Sequence, residues 1–159
     1  MSLRVEDLKD AAALLHGLAE HRFVLEGRAP TWLYLLPERG DGPLLRLPFG
    51  RAVDDTLAHA LAVRTGAVAA VMAGEYWVGP TPVPVETAKR LPLADLPEPS
   101  RQPGRQEAVI TTAVMPGHKV VRHVSMIERG IFGPALHRSR VEDAEQRGDG
   151  LAAWLASIL

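Results

Sequence analysis

Six histidines are the first residues in this 159-residue chain with chemistry to offer, as metal ligands or general bases. His118 and His123 lie five apart in a run that reads as a strand, so alternation turns them to opposite faces. A chelating pair needs one face. His16, His21, His59 and His137 are isolated in sequence, and neither HExxH nor HxH occurs. No metal and no cofactor is expected. Ser2, Ser100, Ser125, Ser139 and Ser157 all fall outside the GxSxG elbow that exposes a serine nucleophile. The nearest approach to a phosphate cradle is Gly50-Arg51, with one glycine and no lysine ahead of a helix; it reads as a turn.

Another grouping with chemistry to offer is Glu75, Trp77, Arg105 and Glu107. Arg105 and Glu107 are two apart and share a face if extended, while Glu75 lies near the end of the preceding strand. An arginine between carboxylates makes charge-assisted contacts, and here it would clamp a long loop to a sheet. The alternative is a polar site in which Glu75 or Glu107 works as a base beside Tyr76 and Trp77. The lack of a metal motif or paired nucleophile favours the clamp. From Arg101 to Arg140 there are seven Lys/Arg against Glu107 and Glu128, with Phe132 the one aromatic, so nucleic acid is a weakly supported partner. Arg147-Gly148-Asp149 reads as a turn.

Composition narrows the classes. Formal charge is −1, from 18 basic and 19 acidic residues, so no global field draws the chain to polyanions. Without cysteine there are no disulfides, thiolate nucleophiles or Cys-ligated metals. The start, MSLRVEDLKDAAALLHGL, has no unbroken apolar run and fits neither a signal peptide nor a membrane span. A cytoplasmic protein, or part of a particle assembled there, is expected, with no membrane partner.

These side chains need elements to hold them. Leu8, Ala11, Leu15 and Leu18 recur at helical spacing and predict a helix over about 3–20. HRFVLE, TWLYLLP and LLRLPF read as three antiparallel strands separated by turn residues. RAVDDTLAHALAVRTG predicts a helix with Asp54 and Asp55 in its first turn, Val53, Leu57 and Leu61 on its buried face, and Gly66 as its stop. AVAAVMAGEYWV predicts a buried strand, reached by a crossover that returns the chain parallel. Pro116-Gly117 suits a type II turn between two β-rich runs. Past the second of these runs the chain reads as irregular until DGLAAWLASIL, an amphipathic closing helix capped by Asp149.

Between the sheet signals, residues 79–105 hold seven of the 13 prolines, at 80, 82, 84, 92, 97, 99 and 103. Each removes a backbone donor, so this stretch is expected to be an extended loop or arm. The whole is read as one α+β domain over 1–159, a mixed sheet of about five or six strands with about three helices, a long proline-rich connection and a docking helix at 150–159.

The chain bears two resemblances. The order helix, three strands, helix, strand resembles the core of restriction-endonuclease-like nucleases. Their chemistry needs a carboxylate on the second strand and an acid-x-lysine on the third, and TWLYLLP and LLRLPF carry neither. The pattern GEYW, then a proline-containing stretch, then PSRQPGRQEAVITTAV resembles an uncharacterised bacterial and phage-associated family. Its acid-plus-Trp strand end and its Pro-Ser, Pro, Arg and Glu would be Glu75, Trp77, Pro99, Ser100, Pro103, Arg105 and Glu107. The resemblance implies strand boundaries and no activity.

The functional expectation is a non-catalytic binding or assembly protein of a phage or other mobile element. The 79–105 segment would contact a second copy of the chain or another protein through Val83, Val85, Leu91, Leu93 and Leu96, with Trp154 of the closing helix as a further contact. Proline restrains the segment beforehand and lowers its ordering cost. The alternative is a small enzyme of unknown reaction near Glu75, Arg105 and Glu107.

Overall fold

The computed structural model describes residues 2–39, 41–42, 44–49, 54–78, 106–144 and 150–159. Helix α1 (Val5–Glu26) leads into β1 (Trp32–Pro37) and β2 (Leu45–Pro48); α2 (Asp55–Thr65) and β3 (Ala67–Val78) come next. The chain then supplies β4 (Gln106–Val114), β5 (Val120–Gly130), β6 (Gly133–Ala144) and α3 (Gly150–Ile158). Six strands form one sheet in the order β2-β1-β3-β4-β5-β6. This is an α+β fold on a single sheet.

Every ladder among the described strands is antiparallel, which corrects the expected mixed pairing. The crossover still leaves its mark. Because β1 pairs antiparallel with both β2 and β3, the two strands joined through α2 run parallel to each other with β1 between them.

HRFVLE is not a strand but the end of α1, another correction. Its β-branched and aromatic residues suit either state, but Phe23 continues the inward spacing of Leu8, Ala12 and Leu15 and is fully buried. Burying that ring is worth about 1.5–3 kcal/mol, more than any local strand preference. The helix starts where Asp7 accepts from the Arg4 backbone N–H at 2.8 Å, and Gly27 closes it by donating to the Phe23 carbonyl at 2.8 Å. With HRFVLE in the helix, the nuclease-like strand order lapses.

The sheet carries helices on both faces. On one, α1 packs Leu8, Ala12 and Leu15 against Tyr34, Val71 and Ala113. On the other, α2 and α3 cover Leu35, Met72, Val114 and Val120. Helix α2 turns Ala58 and Ala62 inward, and Leu57 stays exposed, which corrects the expected face. Small residues let α2 lie close to the sheet and to α3, and Val53 lies outside the described residues. Asp54 caps α2 by accepting from the Leu57 N–H at 2.8 Å.

Two glycines serve close geometry. Gly117 takes φ 80° in the turn between β4 and β5, and the His118 N–H donates to the Met115 carbonyl at 3.1 Å, as a type II turn at Pro116-Gly117 requires. At Gly74 in β3 a Cβ would meet Thr31 at 2.5 Å, so only glycine lets the 28–31 connection cross this strand. Beyond β5, the stretch expected to be irregular is a 12-residue edge strand, β6, reached over Ile131 and Phe132. Its polar, mostly exposed residues lack the apolar alternation that marks a half-buried strand.

Candidate functional site

The face under α1 changes character along the helix. Past Leu15, His16 and Glu20 leave α1 together at i, i+4, and the strands below answer with Thr111 of β4, His123 and Ser125 of β5 and Ser139 of β6. His16 Nδ1 lies 3.0 Å from Thr111 Oγ1, and His16 Nε2 lies 2.9 Å from Ser125 Oγ. Ser125 Oγ also meets Glu20 Oε1 and, at 2.6 Å, Ser139 Oγ. Ser139 Oγ donates to Glu20 Oε1 at 3.2 Å, and the His16 and His123 rings lie 5.3 Å apart, tilted by 31°. A register shift in the β5–β6 ladder between Val124 and Met126 sits beside Ser139 and re-aims that side chain toward Ser125.

Serine, histidine and carboxylate in contact raise the question of nucleophilic catalysis. The connectivity argues against it. A catalytic histidine takes the serine proton at one ring nitrogen and is oriented by the carboxylate at the other. Here Glu20 and Ser125 share the Nε2 side, 3.3 Å and 2.9 Å away, while Nδ1 faces Thr111. The carboxylate is the strongest acceptor in the group and takes the Ser125 proton, so His16 donates from Nε2 and accepts from Thr111 at Nδ1. Ser125 and Thr111 are fully buried, leaving no approach for an electrophile. Burial pushes the His16 ring below its ordinary value against the pull of Glu20, with His123 adding to the depression. Burial likewise lowers His123. Both rings are held neutral, and the cluster is a satisfied polar lock between helix and sheet.

A second polar group lies on the same face beyond Phe23, Val109 and Ile127. Glu75 of β3 and Glu107 of β4 converge on one guanidinium, that of Arg129 in β5. Arg129 Nη2 is 3.1 Å from Glu75 Oε1, and Nε meets Glu107 Oε2. Glu75 also accepts from the Ala29 N–H at 3.3 Å, tying the α1–β1 connection to β3. The carboxylates pair as a clamp around an arginine of β5. Arg105 and the Trp77 side chain lie outside what is described, as do Val83, Val85, Leu91, Leu93 and Leu96.

Trp154, expected as a contact for a partner, faces its own core and is nearly buried. Its Nε1 donates to Asp55 Oδ1 at 2.6 Å and its ring meets Phe49 edge-on at 5.7 Å. That is a correction with a plain cause: α3 is short and strongly apolar, and α2 offers an acceptor for the indole.

The open surface lies elsewhere. A cavity of about 450 Å³ runs between α1 and the β1–β2 edge, lined by Leu3, Ala11, Leu14, Leu36, Pro37 and Leu44. A second hollow continues along α1 past Leu18 and Leu25 to Trp32 and Arg46, whose guanidinium lies 4.2 Å above the Trp32 ring. Among the described residues no group of three or more acidic or histidine side chains is placed to hold a metal. None of the described helices is long and apolar enough to cross a membrane. No family model, curated protein or solved structure matches the chain.

Neither the His16 lock nor this groove is marked by a local sequence motif. His16 and Glu20 could have been paired from their spacing on the core-facing stripe of α1. Alternation from Val109 and Ala113, and from Val121 and Ile127, would have placed Thr111, His123 and Ser125 on the face beneath them.

Proposed function

We propose that this chain is a non-catalytic binding or assembly protein. The observation that carries the reading is the open apolar groove beside α1, where Leu14, Leu18 and Leu25 are all more than half exposed. Apolar surface of this extent on one helix flank marks an interaction face. In the polar cluster that resembles a catalytic constellation the Ser125 and Thr111 hydroxyls are buried, and the reading assigns the cluster to stability.

The 79–105 segment enters the proposal as a second contact. It leaves the sheet after Val78 and returns at Gln106, and its apolar residues Val83, Val85, Leu91, Leu93 and Leu96 suit an arm laid on a second copy or on another protein. Cytoplasmic assembly in a phage or other mobile element is the setting this reading implies. The test is the chain's native mass in an extract of its host, joined to a turnover screen. A complex with itself or another protein, with slower cleavage at Lys89, Arg90 and Arg101 than in the monomeric fraction, supports the reading. A monomer that turns over a substrate overturns it.

A further inference from the structure

We infer that the groove beside α1 takes a single-chain carboxylic acid, a fatty acid in chemical class, with its carboxylate on Arg46 and its alkyl tail laid toward Leu14 and Leu44. This rests on the binding reading and names a ligand for its groove. Helix α1 packs chiefly on β3, β4 and β5, which leaves a trough between its flank and the β1–β2 edge. The hollows of about 450 Å³ and 290 Å³ in that trough adjoin, because Leu14 and Leu18 are one helical turn apart, and Leu36 and Tyr34, like Leu44 and Arg46, alternate along extended chain. Together they have the volume of an ordinary ligand site.

Charge selects the occupant and its direction. The charged side chains along the two hollows are Asp7, Arg22, Glu26 and Arg46, with His21 beside Arg22. Asp7 pairs with Arg4 at 3.2 Å, and Arg22 lies 3.9 Å from Glu26. Of the four, Arg46 alone has no oppositely charged partner among the described residues, and its guanidinium rests 4.2 Å above the Trp32 ring. Stacking takes up the face of that cation and leaves its edge free for the paired contacts a carboxylate makes. The Trp32 indole N–H is also buried without an acceptor among the described residues. Donors exceed acceptors in this corner, the imbalance an anion corrects. At the far end the lining side chains are apolar apart from Ser2 and Asp7, whose carboxylate would repel a second anionic head there. A ligand with one anionic end and one apolar end fits that gradient, and a diacid or a cationic amphiphile does not.

Isothermal titration of the purified full chain with dodecanoate, kept below its micelle concentration, should show one site. Octanoate should bind about tenfold or more weaker, since each buried methylene changes affinity about fourfold. Dodecylammonium, with the same tail and the opposite head, should also bind about tenfold or more weaker. Arg46 is exposed on a short edge strand, so Arg46→Gln should stay folded by circular dichroism and weaken dodecanoate about tenfold or more. Leu14→Glu, which sets a charge in the tail hollow, is a second probe and should weaken binding as well. No binding, equal binding of dodecanoate and dodecylammonium, an affinity indifferent to either substitution, or capture only by phosphatidylglycerol vesicles each overturns the inference. If dodecanoate fails to bind while the host extract holds the chain in a complex with another protein, the fatty-acid site fails and the binding reading stands. Turnover by a monomer ends both.

Discussion

Two polar groups share the sheet face beneath α1, and burial makes them different objects. His16, Thr111 and Ser125 of the first group are buried between helix and sheet with both His16 ring nitrogens hydrogen-bonded, while Glu20 and Ser139 form its solvent-facing rim. The Arg129 group joins three charges at the sheet's end, with the arginine side chain about half exposed. Neutral hydrogen bonds in the dry interior are costly to break, because the partner left behind cannot turn to water. Charged pairs at the surface are cheap to break, because water replaces them. The less charged group should therefore contribute more to stability.

Substitution tests this ordering. His16→Ala should lower stability by about 2–4 kcal/mol, from the cavity and the stranded Thr111 hydroxyl, read by denaturant unfolding. Ser125→Ala should cost about 1–2 kcal/mol, since it removes one hydroxyl and leaves the ring in place. Arg129→Ala should cost no more than about 1 kcal/mol and lose most of that in high salt. Equal losses for His16→Ala and Arg129→Ala would erase the distinction.

Acid should separate the groups as well. His16 and His123 are neutral in the fold and protonate near 6.5 in the unfolded chain, so between the folded and unfolded values the unfolded state binds more protons. Their contribution is intact above about pH 6.5 and is lost as pH falls below it. The melting temperature should drop between about pH 7.5 and pH 5.5, and His123→Gln should flatten that drop. A melting temperature that rises on acidification would mean that Glu20 outweighs burial and holds His16 charged.

The two groups also differ in how far the sequence discloses them. Glu75 and Glu107 were legible because both lie on strands flanking one conspicuous segment, and local alternation is enough to bring them to one face. Arg129 was not, since bringing it to these carboxylates needs the β4–β5 register, which pairs Glu107 with Ile127. The lock was harder still. Its contacts join residues 95 and 109 positions apart, and each member taken singly is an ordinary polar residue. The class of fold, the turn at Pro116-Gly117 and the closing helix rest on short-range signals and could be read directly. HRFVLE could not, because its state is decided by what Phe23 packs against. Strand β6 could not, because an exposed edge strand needs no apolar pattern.

Ser125, His16 and Glu20 form a lock and not a nucleophile. Incubation with a fluorophosphonate, which labels activated serines, followed by intact-mass measurement tests it most directly. A lock leaves the mass of the folded protein unchanged. A single adduct on Ser125, lost in Ser125→Ala and in His16→Ala variants that remain folded, would contradict it.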